Sequence, residues 1–125
     1  MSEERGDHLD VIQLSEEFGS VFAVSIPLHK AAQQRIAEIG KKRWYRTIQD
    51  YRVSNLVRGR DGLIDVVWVT QYGIAAAFEI RTKKRNLDVV RSTKDLEKLG
   101  NLNPEKKYLV NVSTISGTAY FHDVT

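Results

Sequence analysis

The chain has 125 residues and an ordinary apolar share of 42%, which suits one globular domain rather than two. It contains no cysteine, which excludes a disulfide framework and a thiolate metal site, and no apolar stretch approaches the ~20 residues that cross a bilayer. We therefore expect a cytoplasmic protein with no membrane partner.

The net charge of +3 conceals an uneven distribution of charge along the chain. Residues 1–20 hold six acids and one Arg, so the rest of the chain carries 18 Lys and Arg against 10 acids. Such a basic body favours a phosphate backbone as its partner, because each neutralised phosphate releases condensed counterions. The competing interpretation is a merely solvated, charged surface.

The N-terminal segment, residues 1–19, is acidic and has no clear periodicity before Ile12. Two interpretations stay open: a partly disordered tail, or one helical turn of VIQLSEEF against the core. Residues 20–125 are predicted to form the single domain. From Pro27, apolar residues at positions 28, 32, 36 and 39 predict a helix that Ser25 caps and Gly40 ends.

Strand patterns dominate the rest of the chain. Residues 44–56 predict one strand, and the runs LIDVVWVT and GIAAAFEIR, on either side of Tyr72, predict a hairpin. Residues 87–99 predict a second helix, and KKYLVNVST and TAYFHDV predict two last strands. The order helix, three strands, helix, two strands predicts an α/β (α+β) domain with a mixed sheet flanked by helices.

The hairpin carries two carboxylates that are out of place in apolar strands. If the hairpin is centred on Tyr72, Asp65 lies directly opposite Glu79 and both side chains share a face. Like charges at that spacing are destabilising, so a shared proton, a basic neighbour or a bound cation must offset them. Ordinary ion pairs with nearby Arg and Lys remain an alternative, and a two-residue turn at residues 72–73 would separate the carboxylates onto opposite faces.

The segment IDVVWVTQYGIAAAFEIR resembles the core signature of the restriction-endonuclease-like, or PD-(D/E)xK, nucleases, in which an Asp on one strand precedes a Glu-x-Lys on the next. The predicted element order is similar to that fold's core, and the resemblance covers roughly residues 28–112. It implies a restriction-endonuclease-like core and a Mg²⁺- or Mn²⁺-dependent endonuclease, a hydrolase that cleaves DNA phosphodiester bonds.

Carried over to this chain, the resemblance implies that Asp65 and Glu79 bind the metal and act in catalysis, with the backbone carbonyl of Ile80 as a third ligand. Arg81 stands where the family usually has lysine. Arginine can stabilise developing negative charge, but it cannot deprotonate to activate a water. Lys83 lies two positions on, and it shares the face of Arg81 if the strand continues.

Further candidates follow from the same resemblance and from the charge pattern. Glu38 on the first predicted helix matches an additional metal ligand of some relatives, and Asp50 is the alternative acid; a solvent-facing role is the competing interpretation for both. Four basic residues are candidates for nucleic-acid contacts: Arg58, Arg60, Lys84 and Arg85. His29, near a helix start, is expected to be a surface or capping residue.

Aromatic and basic residues interleave over positions 41–52, where exposed rings could stack on nucleobases and about half should pack in the core. The function expected is a DNA endonuclease that acts as a homodimer or with an accessory protein. The alternative is a catalytically inactive nucleic-acid-binding module on a nuclease-like fold, and a weaker third is an assembly protein whose acids form ion pairs.

Overall fold

The computed structural model describes residues 10–53, 62–83 and 103–125, and two helices and five strands lie within them. In chain order these are α1 (Val11–Phe18), α2 (Leu28–Lys42), β1 (Arg46–Val53), β2 (Gly62–Thr70), β3 (Gly73–Lys83), β4 (Lys106–Ser113) and β5 (Ala119–Asp123). The predicted helix over residues 87–99 lies outside the described residues. None of the described helices is long and apolar enough to cross a membrane.

The five strands form one sheet in the order β1-β2-β3-β4-β5. The β3–β4 pair is parallel and the other three pairs are antiparallel. Parallel neighbours need a crossover connection, whereas antiparallel neighbours can be joined by a short turn. The predicted mixed α+β architecture is therefore confirmed at the level of a mixed sheet with helices.

The main core lies between the two helices and one face of the sheet. Four rings make stacked, tilted or edge-on contacts at its centre: Trp68, Phe78, Tyr108 and Phe121. All four are at most 1% exposed, and full burial of each large apolar side chain stabilises the fold by roughly 1.5–3 kcal/mol. A smaller apolar cluster, which includes Val67, Ala77 and Leu109, lies on the opposite face because strand side chains alternate.

The acidic N-terminal segment is part of this core from Val11 onward. Asp10 caps α1 by accepting hydrogen bonds from the amides of Ile12 and Gln13, and both Leu14 and Phe18 are fully buried. The Phe18 ring packs edge-on against Phe121 of β5. Of the two interpretations, the helical one holds for this stretch, so the domain begins before residue 20.

The predicted ends of α2 need correction. Pro27 itself occupies the N-cap position and no side chain caps the helix, while Gly40 lies inside it. Gly40 is needed there because a Cβ at this position would collide with the indole of Trp68. The helix ends instead in a Schellman motif: Tyr45 N donates to Gly40 O, and Trp44 N donates to Lys41 O, at 3.0 Å each.

Next to the carboxylates, the pairing of β2 with β3 is the one predicted from the sequence, but the turn that produces it is different. A two-residue turn, Gln71–Tyr72, pairs Thr70 with Gly73, which by itself would shift the register by one residue. A β-bulge beside Trp68 and Val69 then inserts an extra residue into β3. Because the two offsets cancel, Val66 pairs with Phe78, as expected for a hairpin centred on Tyr72.

Candidate metal centre

The candidate site lies where β2 and β3 separate. Their ladder ends at the pair Val66–Phe78, whereas β2 stays paired with β1 as far as Gly62, and β3 stays paired with β4 as far as Lys83. Asp65 and Glu79 are the first residues beyond the last shared pair. We call Asp65, Glu79 and Ile80 the fork.

Within the fork, two carboxylates take the place of the missing ladder bonds. The amide of Ile80 donates to Asp65 Oδ2 at 2.7 Å, and the amide of Asp65 lies 3.4 Å from Glu79 Oε1. Each carboxylate thus bridges to the backbone of the other strand. Asp65 and Glu79 meet across the hairpin as predicted, but they do so through hydrogen bonds of their carboxyl groups to backbone amides and to each other, and they do not form a ladder pair.

Both carboxylates are largely withdrawn from solvent. Glu79 is 4% exposed, and the side chain of Asp65 is 15% exposed. Burying an ionised carboxylate without partners is strongly unfavourable, so the backbone amides of the fork are needed to hold these groups. The fork accordingly holds two carboxyl groups between the two strands, largely out of contact with water.

Helix α2 supplies two further contacts to Asp65. His29 Nε2 lies 3.3 Å from Asp65 Oδ1, and Gln33 Nε2 donates to the backbone oxygen of Asp65 at 2.8 Å. Positions 29 and 33 are one helical turn apart, so they present side chains on the same face of the helix. His29 is therefore a partner of the site rather than the surface or capping residue expected from the sequence.

Asp50 joins the same network from β1. Strands β1 and β2 are paired at Gln49–Val66 and at Tyr51–Ile64, but the intervening residues Asp50 and Asp65 are not paired with each other. Asp50 has a left-handed φ of 54°, and its carboxylate accepts a hydrogen bond from Gln33 Nε2 at 2.9 Å. The Gln33 amide thus bonds to both residues at this gap.

The ionisation of the pair His29–Asp65 reflects these contacts. Burial by itself would raise the pKa of Asp65, but hydrogen bonds from His29 and the Ile80 amide outweigh it and hold the pKa below its ordinary value. The hydrogen bond to Asp65 raises the pKa of His29 above its ordinary value, against the opposing effect of burial. Both shifts favour a charged pair.

The basic candidates on β3 lie on the side of the strand to which Glu79 points. Strand side chains alternate, and β3 continues to Lys83, so Glu79, Arg81 and Lys83 share that side. The strand is therefore continuous to Lys83, and Lys83 lies on the same face as Arg81, as expected from the sequence if the strand continues. Arg81 and Lys83 are both half-buried and lie level with Asn111 and Ser113 of β4.

Glu38 is not brought to the fork, which corrects its prediction as a metal ligand. It lies nine positions after His29, which is about half a revolution around an α-helix. Its side chain is 66% exposed and lies 3.6 Å from Arg35 on the side of α2 that faces away from Asp65. The other predicted nucleic-acid contacts, Arg58, Arg60, Lys84 and Arg85, lie outside the described residues.

Sequence reasoning missed Gln33 and the partnership of His29 with Asp65. A signal was present, because Gln33 is a polar residue in the apolar stripe of α2, adjacent to Ala32 and one turn before Ala37. A buried polar side chain at such a position needs a partner. Nothing in the sequence identifies that partner as the backbone of Asp65, which is 32 residues away.

The oxygen atoms of the fork are of the kind that hard divalent cations bind. Two carboxylates and a backbone carbonyl are all oxygen ligands, and Mg²⁺ is commonly held by one or two carboxylates, waters and substrate phosphates. An ionised carboxylate offers about four lone-pair positions, of which the amide of Ile80 and His29 use two at Asp65. Within residues 10–53, 62–83 and 103–125, no group of three or more His, Asp or Glu side chains is placed so that it could hold a metal ion.

Comparison with known proteins gives no family for this chain. No protein-family profile matches the sequence, and no curated protein matches it significantly. The interpretation of the fork therefore rests on its geometry and on the motif that it carries.

Proposed function

We propose that this protein is a divalent-metal-dependent nuclease that hydrolyses DNA phosphodiester bonds at the fork. The observation that carries the proposal is the reciprocal bridge of two buried carboxylates, Asp65 and Glu79, across separating strands. Oxygen ligands of this kind suit Mg²⁺ or Mn²⁺, and the basic body favours a phosphate backbone as substrate.

In this proposal Asp65, Glu79 and the carbonyl of Ile80 hold the cation. A bound divalent cation lowers the pKa of a coordinated water and polarises the scissile phosphate. Arg81 and Lys83, on the same side of β3 as Glu79, stabilise the negative charge that develops on the phosphate oxygens. His29 and Gln33 orient Asp65 through its carboxylate and its backbone oxygen, respectively.

The restriction-endonuclease-like core, the cytoplasmic location, and action as a homodimer or with an accessory protein belong to the same proposal. The restriction-endonuclease-like core is supported by the separation of β2 from β3 at Asp65 and at the Glu-x-Arg of residues 79–81. The small size of one domain supports the need for a second copy or a partner to define a target.

The proposal is tested by incubating the protein with supercoiled, linear, branched and single-stranded DNA in the presence of Mg²⁺, Mn²⁺ or EDTA. We expect cleavage that requires the metal and disappears in Asp65→Ala and Glu79→Ala. Glu38→Ala is the matched control, since Glu38 is an exposed acid away from the fork, and it should cleave normally.

Salt-sensitive DNA binding without cleavage of any substrate would contradict the nuclease and favour the alternative, a catalytically inactive binding module. The arginine at position 81 is the specific feature that favours this alternative, because a guanidinium cannot act as a base. Arg81→Lys distinguishes the two: a gain of cleavage would show that the arginine disables an otherwise competent fork.

A further inference from the structure

The segment after α2 presents an aromatic side chain in an unusual conformation. Trp44 is 89% exposed, and its φ is 69°. It occupies the position after the C-cap of the Schellman motif, where glycine is usual because a left-handed backbone strains residues that carry a Cβ. The chain thus holds a large ring in water at a strained position.

Exposed cations surround this ring in sequence. Lys41, Lys42 and Arg46 are all exposed, and none of them forms an ion pair with any residue that the structure describes. In contrast, Arg43 between them is buried and bonded to Glu17, and Tyr45 is buried with its ring stacked on Trp68. The buried Arg43 and Tyr45 thus alternate with exposed neighbours, which leaves the Trp44 ring and the charges of Lys41, Lys42 and Arg46 in solvent.

A second exposed ring lies at the same end of the sheet. Arg46 pairs with Val69, so the segment that precedes Arg46 lies near the hairpin turn Gln71–Tyr72. Tyr72 is 88% exposed. We call Lys41, Lys42, Trp44 and Tyr72 the platform; Arg46 is not part of it, because its cross-strand partner Val69 packs on the face of the sheet opposite α2.

We propose that the platform binds single-stranded nucleic acid, with a base stacked on Trp44 and the flanking phosphates contacted by Lys41 and Lys42. Exposed aromatic rings combined with a positive surface are the usual means of binding unpaired strands, because every unpaired base offers a flat face and every phosphate a negative charge. Bases in a duplex are already stacked on both faces, so the rings of the platform have no equivalent contact with a duplex.

The platform lies about 20 Å from the fork. Thirteen residues of α2 separate His29 from Lys42, which is ~20 Å at 1.5 Å per residue, and Asp65 and Gln71 of the hairpin are separated by a similar length of strand. Along a stacked strand this distance corresponds to about six nucleotides at 3.4 Å each. One strand can therefore contact both sites.

The inference deepens the proposed function, since it names an unpaired strand as the form of the substrate next to the cleavage site. The binding step itself needs neither metal nor cleavage. It is measured in EDTA, so the failure of one proposal does not imply the failure of the other.

The test is tryptophan fluorescence during titration with oligothymidylate and with oligouridylate of about 15 nucleotides, and with a duplex of the same length. The chain has two tryptophans, and Trp68 is fully buried, so quenching reports on Trp44. We expect quenching by the single strands and about tenfold or more weaker single-strand binding, measured by anisotropy of a labelled strand, in Trp44→Ala. A difference in affinity between oligothymidylate and oligouridylate shows whether the platform prefers DNA or RNA.

Control variants separate stacking from general damage. Trp44→Phe keeps a ring and should keep most of the affinity, while Ile115→Ala removes another exposed apolar side chain, away from the platform, and should bind normally. Lys42→Gln should lower the slope of log affinity against log salt by about 0.7, the value for one phosphate of a single strand. Circular dichroism verifies that each variant is folded.

Unchanged single-strand affinity in Trp44→Ala would overturn the proposal, and so would duplex binding that is as tight and as dependent on Trp44. Single-strand binding that depends on Trp44, without any metal-dependent cleavage, would support the proposal for the platform and contradict the proposed nuclease activity.

Discussion

The two ends of α2 differ in how they hold their functional groups. At the N-terminal end, His29 and Gln33 bond to the fork, and the carboxylates there are buried and bridged to backbone amides. At the C-terminal end, Trp44, Lys41 and Lys42 project into solvent, and neither lysine forms an ion pair with a described residue. A site that fixes a cation needs groups held in place, whereas a site that stacks on bases needs accessible faces.

The same difference determines what each end contributes to stability. Buried polar groups at the fork destabilise the fold unless every one is bonded, so a change there should affect both folding and function. The platform makes few contacts with the core, so the loss of a side chain there should weaken binding without lowering stability. Substitutions at each end of α2 test this contrast.

The largest effect is expected on the rate of the cleavage that we propose for this protein. Asp65→Asn and Glu79→Gln should lower kcat by about a thousandfold, because the loss of a ligand removes several kcal/mol of charge stabilisation in the transition state. Trp44→Ala should raise KM about tenfold on a single-stranded substrate and leave kcat unchanged. Steady-state kinetics of the three variants measures both parameters. Equal losses of kcat in Asp65→Asn and Trp44→Ala would refute the division between chemistry and binding.

The next effect concerns stability at the fork. Gln33→Leu should lower the free energy of unfolding by about 1–3 kcal/mol, because the backbone oxygen of Asp65 and the carboxylate of Asp50 lose a buried donor. Urea denaturation provides the measurement. Gln34→Leu is the matched control: this neighbouring Gln is exposed, and its replacement should change stability by less than about 0.5 kcal/mol. Equal effects of the two variants would contradict the role assigned to Gln33.

A change of opposite sign is expected at the platform. Trp44→Gly should raise the free energy of unfolding by about 1 kcal/mol, since glycine adopts the left-handed conformation without strain, and it should weaken single-strand binding at the same time. Thermal denaturation and the binding titration test the two effects. Tyr72→Gly is the control, because Tyr72 does not have a positive φ and its replacement should bring no gain in stability.

The smallest effect is the pH dependence of the His29–Asp65 pair. The pKa of His29 is raised above 6.5 by Asp65 and, less strongly, by Asp50 and Glu79, so its contribution to stability is complete below pH 6.5 and is lost as pH rises through the raised pKa. The pKa of Asp65 is lowered, so its contribution is present above pH 3.8 and is lost as pH falls through the lowered pKa.

The pair should therefore stabilise the fold most between about pH 4 and 6.5. Because the side chain of His29 is 43% exposed, solvent screening limits the loss at higher pH to about 1 kcal/mol or less. The measurement is urea denaturation of the protein and of His29→Gln from pH 5 to pH 9. The difference in stability between them should shrink as pH rises, and a constant difference would contradict the pair.

Local pattern was sufficient for much of the fold. The apolar stripe at Leu28, Ala32 and Ile36 predicts α2, and the dense β-branched and aromatic runs on either side of Tyr72 predict the hairpin. These elements follow from periodicity, which depends only on residues close in the chain. The ends of α2 were predicted less well, because Gly40 permits the approach of Trp68 and the left-handed cap falls on Trp44.

Asp65 and Glu79 are recognisable in the sequence as two charges in apolar strands that need partners, and the pattern predicts that they meet if the hairpin is centred on Tyr72. Only the tertiary structure decided how they meet. The bulge that restores the register, the separation of β2 from β3, and the side chains of His29 and Gln33 all depend on packing between segments distant in the chain. Pattern along a chain specifies which groups need partners, whereas the packing of helix on sheet specifies which partners they find.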